Sequence, residues 1–506
     1  MAFFTFTNVA VCLLSLYVTH RVYWEVTIGS RLRAFAKQHD CLPAKRLQIP
    51  FTLGALCWGG QVKAIKEHRL LPHMANQFKE VAGHTRHHNI FGTEFFNTDD
   101  PENIKAVLAT NFSAWSLGQE RITEMSSYLG YGIFVNEGAA WKHSREMLRP
   151  CFERSQVADV DMLERHTQRL IDMLPKDGTT VDLQPLLHDL SMDVATELLF
   201  GKSTNALSRD GNNHEVRAFC DAFDYASNPF ERESFKKWGA IALFLPDRKK
   251  KQHVKVMQDF VDRIIEEHLK ESKDSLEDET RYTFLNALFA STQDRIKIRS
   301  ELLNILLAGR DTVASLLSNI LWELPRHPSV LSKLHSEIDE FIGDAQPTYG
   351  QLKDMKYLRA IINESQRLYP IVPVNSREAL IDTVLPSGGG ADESRPVMVP
   401  KGAYVAWHMY SMQRREDLFG IDAGSFRPER WLEPGFRPGW AYVPFSGGPR
   451  VCIGQNFALT ETMYVVVRLI QGFNVEQRDF EEWMEKFSIT CTGLGGCKIG
   501  LTPREE

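Results

Sequence analysis

The first pattern along the chain is an uncharged N-terminal run. From Ala2 to Thr19 no residue is charged, and Phe3, Phe4, Phe6, Val9, Leu13, Leu14, Leu16 and Val18 make it apolar. As a helix, about 18 such residues just cross a hydrocarbon core of about 30 Å. Positive charges follow at Arg21, Arg31, Arg33, Lys37, Lys45 and Arg46. Lysine and arginine beside a span stay cytosolic, and the rest of the chain is expected there with them. Tyr17, Tyr23 and Trp24 suit the membrane interface. A cleaved signal would need a positive start and a small-residue cleavage site, and neither is visible. The pattern predicts one N-terminal transmembrane helix over residues 1–20, a linker over 21–60 with Pro43 and Pro50, and one large domain over 61–506.

Helical periodicity dominates that domain. Leu163, Leu170, Ile171 and Met173 share a face over 162–173, and Val254, Met257, Phe260, Val261, Ile264 and Ile265 do so over 254–269. Residues 274–281 read as a charged surface connection. A long apolar helix is expected over about 298–324, stopped by Pro325 and Pro328. Strand signals are short and late: residues 397–399 before Pro400-Lys401-Gly402, with 404–407 as the hairpin partner. Residues 385–390 read as a turn or surface loop. The expected fold class is mainly α with a minor β-sheet region. The apolar stretch 238–245 precedes Arg248, Lys249, Lys250 and Lys251. It reads either as a patch on an anionic bilayer or as a buried helix followed by a solvated basic turn.

Composition narrows the function classes. Hydrophobic content of 43% and charged content of 25% suit a folded protein rather than a disordered one. A net charge of −6 supplies no global positive field, so nucleic acid is not an expected partner. The cysteines Cys12, Cys41, Cys57, Cys151, Cys220, Cys452, Cys491 and Cys497 form no CxxC pair, which argues against a zinc knuckle or a dithiol site. They read as reduced thiols, at most one of which carries chemistry.

That one is Cys452. It lies in Phe445-Ser446-Gly447-Gly448-Pro449-Arg450-Val451-Cys452-Ile453-Gly454, just before an apolar helix that starts near Gln455. A lone cysteine in such a loop is most often an inert small hydrophobe. A metal-binding thiolate instead wants N–H dipoles and a helix N-terminus nearby, which keep it deprotonated. It also wants close backbone approach, which Gly448 and Gly454 allow, and aromatic cover, which Phe445 offers. The spacing F-x-x-G-x-R-x-C-x-G is matched at each fixed position and resembles the haem-binding loop of cytochrome P450 enzymes. Other segments agree. Glu364 and Arg367 form E-x-x-R on one helix face, and Phe426-Arg427-Pro428-Glu429-Arg430-Trp431 looks like the family's P-E-R segment. Ala308-Gly309-Arg310-Asp311-Thr312 interrupts the long apolar helix with a glycine, which costs about 1 kcal/mol against alanine and so needs a reason. Without the family, it is a kinked core helix with Thr312 bonded back to the preceding turn.

The resemblance implies roles for these residues. Cys452 would ligate the iron of haem b (iron protoporphyrin IX), with Arg450, Phe445, Gly448 and Gly454 around it. Trp141 and Arg145, in Trp141-Lys142-His143-Ser144-Arg145, would meet a haem propionate, as would Arg377 in Val374-Asn375-Ser376-Arg377. Glu364, Arg367 and Arg430 would form a buried charge network. Ala308 and Gly309 would leave room for O₂, and Thr312 and Asp311 would handle its protons. The nearest likeness is to the fungal alkane and fatty-acid ω-hydroxylase group. It is carried by residues 130–134, 141–150, 304–312, 385–390, 439–445 and 452–455, while Val313 and Ser376 depart from that group's pattern.

The implied activity is insertion of one oxygen atom from O₂ into a C–H bond of a lipophilic substrate, with terminal hydroxylation of an alkane or fatty acid as the first reading. A tailoring oxidase of a fungal polyketide or terpenoid pathway is the alternative. A haem-thiolate isomerase or dehydratase would not need Asp311 and Thr312, and a non-catalytic haem sensor would need neither an electron partner nor a substrate channel. Electrons would come from NADPH through cytochrome P450 reductase, with cytochrome b5 as a further donor and Lys142, Arg149 and Arg450 as docking candidates. Substrate contacts are expected from 112–134, 303–312, 371–376 and the turn near Leu494. The implied location is the endoplasmic reticulum membrane, with membrane lipid as a partner and the catalytic domain facing the cytosol.

Overall fold

The computed structural model describes residues 6–47, 55–90, 92–153, 157–208, 214–274 and 283–504. The chain is mostly helical with small sheets, as expected. It divides into two compact units: 1–56, 76–116 and 376–407 form one, and 57–75, 117–375 and 408–506 form the other.

The first unit is built on a six-stranded sheet in the order Lys45–Arg46, Thr85–Ile90, Thr93–Thr98, Tyr404–His408, Val374–Ala379, Trp115–Ser116. Here the expected hairpin is corrected. Tyr404–His408 does not pair with its sequence neighbour; it runs parallel to Thr93–Thr98, with the Phe95 and Tyr404 rings stacked at 5.5 Å. The partner of Arg395–Val399 is Thr383–Gly389, antiparallel, with Leu385 opposite Val397 and an irregularity between Leu385 and Gly389. The glycine-rich stretch expected as a loop is therefore a strand. Its glycines are there for space. A Cβ on Gly389 would lie 2.5 Å from the Pro396 carbonyl oxygen, and one on Gly388, at φ +105°, would lie 2.3 Å from the Thr85 side chain.

Helix Phe6–Trp24 covers most of the expected anchor and exposes Leu13, Leu14, Leu16, Tyr17 and Val22. Among the described residues, however, no helix is long and apolar enough to cross a membrane. Thr7, Asn8, His20 and Arg21 fall inside Phe6–Trp24 and dilute it. Phe3, Phe4 and Pro50 lie outside the described residues, as does the charged connection beyond Asp274.

In the second unit the expected helices appear as Asp161–Met173, Arg248–Asp274 and Arg295–Glu323. The Asp294 side chain accepts from the N–H groups of Ile296 and Lys297 and so starts the last of these, the long helix. Pro325 ends it in the short 3₁₀ turn Leu324–Arg326. Its Val313, Ala314, Leu317 and Ile320 share one core with Leu183, Leu187 and Leu190 of helix Leu183–Phe200 and with Met463, Val466 and Ile470 of helix Gln455–Gly472. The long helix is buried on most sides, so it shows no single apolar stripe. Small sheets complete the unit: Phe473–Gln477, Lys498–Pro503 and Thr180–Asp182 in one, Glu485–Phe487 and Cys491–Gly493 in another. The basic cluster at 248–251 is the first turn of helix Arg248–Asp274, not a loop. Asp247 accepts the Lys250 N–H at 3.0 Å and offsets these cations at a helix N-terminus.

Candidate functional site

The loop around Cys452 closes on itself through its backbone. The Cys452 N–H donates to the Phe445 carbonyl at 2.9 Å and the Val451 N–H to the Gly448 carbonyl at 3.1 Å. Gly448 sits at φ +64°, where only glycine is at ease. Gly454 starts helix Gln455–Gly472, and a Cβ there would lie 3.1 Å from the Phe152 ring. Phe445 packs against the large core and lends its carbonyl to the loop.

Cys452 is accessible, although protein surrounds it on most sides. That burial pushes its thiol pKa up, while the Gly454 N–H and the Arg145 charge pull it down. A thiolate here needs a positive partner beyond Arg145, and a soft metal ion at the sulfur is such a partner. Arg145 donates to the Val451 carbonyl at 2.9 Å. Arg450 lies over the Trp141 ring, 4.6 Å from its centroid, and donates to the Asn136 carbonyl at 2.8 Å. Burial lowers the Arg450 pKa to about 10. A guanidinium desolvated that far is stabilised by an anion, so soft sulfur and two cationic forks suit an iron porphyrin and its carboxylates. The residues present therefore fit haem.

Glu364, Arg367 and Arg430 lie together in one buried charge network that takes in further partners. Glu364 and Arg367 are fully buried and Arg430 nearly so, at 0%, 0% and 1% exposure. Glu364 accepts from Arg367 at 2.8 and 2.9 Å and from Arg430 at 2.9 Å. It also accepts from the Trp431 indole at 2.9 Å and the Arg427 N–H at 2.8 Å, partners that the sequence reading missed. Arg367 reaches the carbonyls of Gln413, Ala423 and Ser425, which ties the following loop to its helix Lys356–Leu368.

On the long helix, the Thr312 hydroxyl donates to the Ala308 carbonyl at 2.5 Å. This is the back-bond expected of a threonine within a helix, and it leaves the Oγ1 lone pairs free to accept. A Cβ on Gly309 would lie 3.2 Å from the Ala195 Cβ, so this glycine lets helix Leu183–Phe200 approach closely. Asp311 lies 3.2 Å from Arg310 and 3.7 Å from His188 Nδ1. Burial alone would raise the Asp311 pKa; the Arg310 and His188 charges outweigh it and hold the group below its ordinary value. Arg310 continues to Asp224 at 2.6 Å, and Asp224 is exposed. The remaining candidate, Arg377, belongs to the first unit, where it is buried, lies 5.4 Å from the Trp407 ring and donates to the Ser376 carbonyl.

A cavity of about 280 Å³ in the second unit lies outside the segments expected to touch substrate. Ile65, Leu70, Phe230 and Phe487 give it apolar walls, and Lys66, His68, Glu231, Lys236 and Glu485 give it polar ones of both charges. These residues come from three distant stretches of chain, so no local pattern could have marked them.

Comparison with known proteins agrees with this geometry. The family profile of cytochrome P450 matches residues 50–493. "Cytochrome P450 monooxygenase fsdH" of Fusarium heterosporum is 40% identical over 491 residues, covering 93% of this chain and 84% of that protein. "Cytochrome P450 monooxygenase himC" of Aspergillus japonicus is 41% identical, covering 87% and 80%. "Cytochrome P450 52A5" of Candida maltosa is 44% identical, covering 76% of each.

Proposed function

The chain belongs to the cytochrome P450 family, and from that premise we propose that this monooxygenase hydroxylates a long-chain lipid at or near its terminal carbon. The observation that carries the oxygen chemistry is Cys452: an accessible sulfur, its loop closed by backbone bonds, beside the Gly454 N–H and Arg145. Haem b bound there supplies the activation of O₂ and the transfer of one oxygen atom to a C–H bond, the other leaving as water. Arg145 and Arg450 would hold its carboxylates. Thr312 Oγ1 would accept a hydrogen bond from a proton donor in the site, because its own proton is committed to Ala308. Asp311, kept ionised by Arg310 and His188, accepts hydrogen bonds at its carboxylate and so orients the proton donors of the site. A lipid substrate is supported by the resemblance of residues 130–134 and 304–312 to the alkane and fatty-acid group. Electrons reach the site from NADPH through a reductase, with cytochrome b5 as a second donor; the exposed Lys142 and Arg149 are the docking cations. Membranes carrying the enzyme and its reductase, given long-chain fatty acids and alkanes, are expected to yield terminal alcohols. Oxidation of host polyketides or terpenoids in place of lipids would sink this reading.

Thr312→Ala is expected to keep NADPH consumption while product falls at least tenfold, since positioned proton transfer contributes about 10²–10⁴-fold. Product per NADPH measured beside the wild type checks this, and unchanged coupling would remove Thr312 from proton handling.

The proposed location is the endoplasmic reticulum membrane, with residues 1–20 as anchor, 21–60 as linker and 61–506 as the cytosolic catalytic domain. Trp238, Ile241 and Leu245 are 56%, 61% and 51% exposed, beside the exposed Lys236 and Lys237. Apolar side chains next to cations suit an anionic lipid surface. Protein lacking residues 1–20 should still bind anionic vesicles, and Trp238→Ser with Ile241→Ser should weaken that binding about tenfold at unchanged stability. Equal flotation of both forms would exclude the patch.

A further inference from the structure

The loop after helix Gln119–Leu129 is fastened to the long helix by two side chains that sequence analysis did not single out. Asn304 and Glu301 are both 0% exposed. Asn304 Oδ1 accepts the Phe134 N–H at 3.0 Å; its Nδ2 donates to the Leu129 carbonyl at 3.3 Å and to the Ser300 carbonyl at 2.7 Å. One Glu301 oxygen accepts the Ile133 N–H at 3.2 Å, and the other accepts the Ser144 hydroxyl. Two glycines let the loop backbone rest directly on the helix. A Cβ on Gly130 would lie 2.2 Å from Ser300 Oγ, and one on Gly132 would lie 2.5 Å from Asn304 Nδ2.

Polar groups buried this completely are costly unless fully bonded, and packing alone would be served by leucine at either position. Their placement indicates what they serve. Asn304 is one turn before Ala308, whose carbonyl takes the Thr312 hydroxyl. Ser144, the second partner of Glu301, lies on helix Gly138–Leu148 between Trp141 and Arg145. Two side chains thus hold one loop, the oxygen-handling helix and the helix of the propionate candidates in one register.

We propose that Asn304 and Glu301 are positioning residues that set regiochemistry: by fixing the backbone of residues 129–134 on the long helix, they determine which carbon of the substrate is oxidised. The inference rests on the reading of residues 112–134 as substrate contacts. It concerns placement of the substrate, not oxygen activation.

The haem-loaded enzyme is compared as wild type, Asn304→Ala, Asn304→Asp and Glu301→Gln. Amide hydrogen exchange is followed in peptides covering Ile133 and Phe134, together with the carbon monoxide spectrum, the coupling of NADPH to product, KM, kcat and product position. Asn304→Ala should speed exchange there roughly fivefold, the worth of one net backbone hydrogen bond. It should also raise KM about tenfold and spread oxidation over neighbouring carbons, with the sulfur-ligated spectrum kept. Asn304→Asp retains the acceptor for Phe134 and, when protonated, one donor, and should restore both exchange and product position in large part. Glu301→Gln keeps an acceptor and should fall between the two. Unchanged exchange in Asn304→Ala overturns the clamp; faster exchange with unaltered KM and product position overturns its control of regiochemistry. If the wild type oxidises a non-lipid substrate instead, the lipid reading fails and the clamp is scored on that substrate by the same measurements.

Discussion

Cys452→Ala is expected to end turnover and to remove the sulfur-ligated Soret band of the reduced, carbon monoxide-treated protein, with the fold intact. The loop does not depend on the sulfur. Its closing bond runs from the Cys452 N–H to the Phe445 carbonyl, and alanine keeps it. The side chain is accessible, so its loss opens no core cavity, and a stability change within about 1 kcal/mol is expected. Among the cysteines of this unit whose side chains are described, none is suited to replace it. Cys151, Cys220, Cys491 and Cys497 are buried, and burial pushes the Cys220 thiol up to about 11 and those of Cys491 and Cys497 higher still. What separates them from Cys452 is access: their sulfurs are buried, whereas that of Cys452 is exposed to a ligand. Pyridine haemochrome content, the carbon monoxide difference spectrum and thermal unfolding together test this. A Cys452→Ala protein that retains the sulfur-type band would place the ligand elsewhere and collapse the account of the site.

What could be read from sequence was what is written in local spacing. Cys452 with its glycines and Arg450, the Glu364–Arg367 pair and the long helix with its Asp311-Thr312 break are each contained within one short segment. What could not be read depends on chain brought from far away. Trp431 and the Arg427 N–H complete the Glu364 cage across more than sixty residues. Asn304 bonds Phe134 across 170 positions, and no periodicity marks an asparagine as a clamp. The glycine-rich stretch ending at Gly390 misled because glycine is usually evidence of a turn, whereas here it relieves crowding against Pro396 and Thr85. The hairpin was misread because its pairing is also long-range: Tyr404–His408 runs parallel to Thr93–Thr98, with Tyr404 stacked on the Phe95 ring. Gly309 is legible as a needed glycine, but only the structure shows that Ala195 is the atom it makes way for.

Glu364→Ala should be the most damaging substitution outside the cysteine loop, giving protein that loses haem and unfolds. The carboxylate accepts five bonds, from Arg367 twice, Arg430, Trp431 and the Arg427 backbone. Its removal leaves two guanidinium groups at 0% and 1% exposure, held by neutral carbonyls. The carboxylate still touching them is Asp422, 3.2 Å from Arg430 and 33% exposed, so its charge is shared with water. Breaking a buried ion pair from one side costs about 3–5 kcal/mol, a large part of the 5–15 kcal/mol that typically holds a folded protein together. The carbonyls involved belong to residues 413–425, so the strain is released into the chain that leads to the Cys452 loop. Glu364→Gln should do little better, because its amide turns donors toward donors. Asp422→Ala removes a solvated partner and should cost about 1 kcal/mol or less. Haem content and urea unfolding of the three variants measure this order. If Glu364→Ala is as stable as Asp422→Ala, the buried cage does not hold the core, and another source of rigidity for the cysteine loop has to be found.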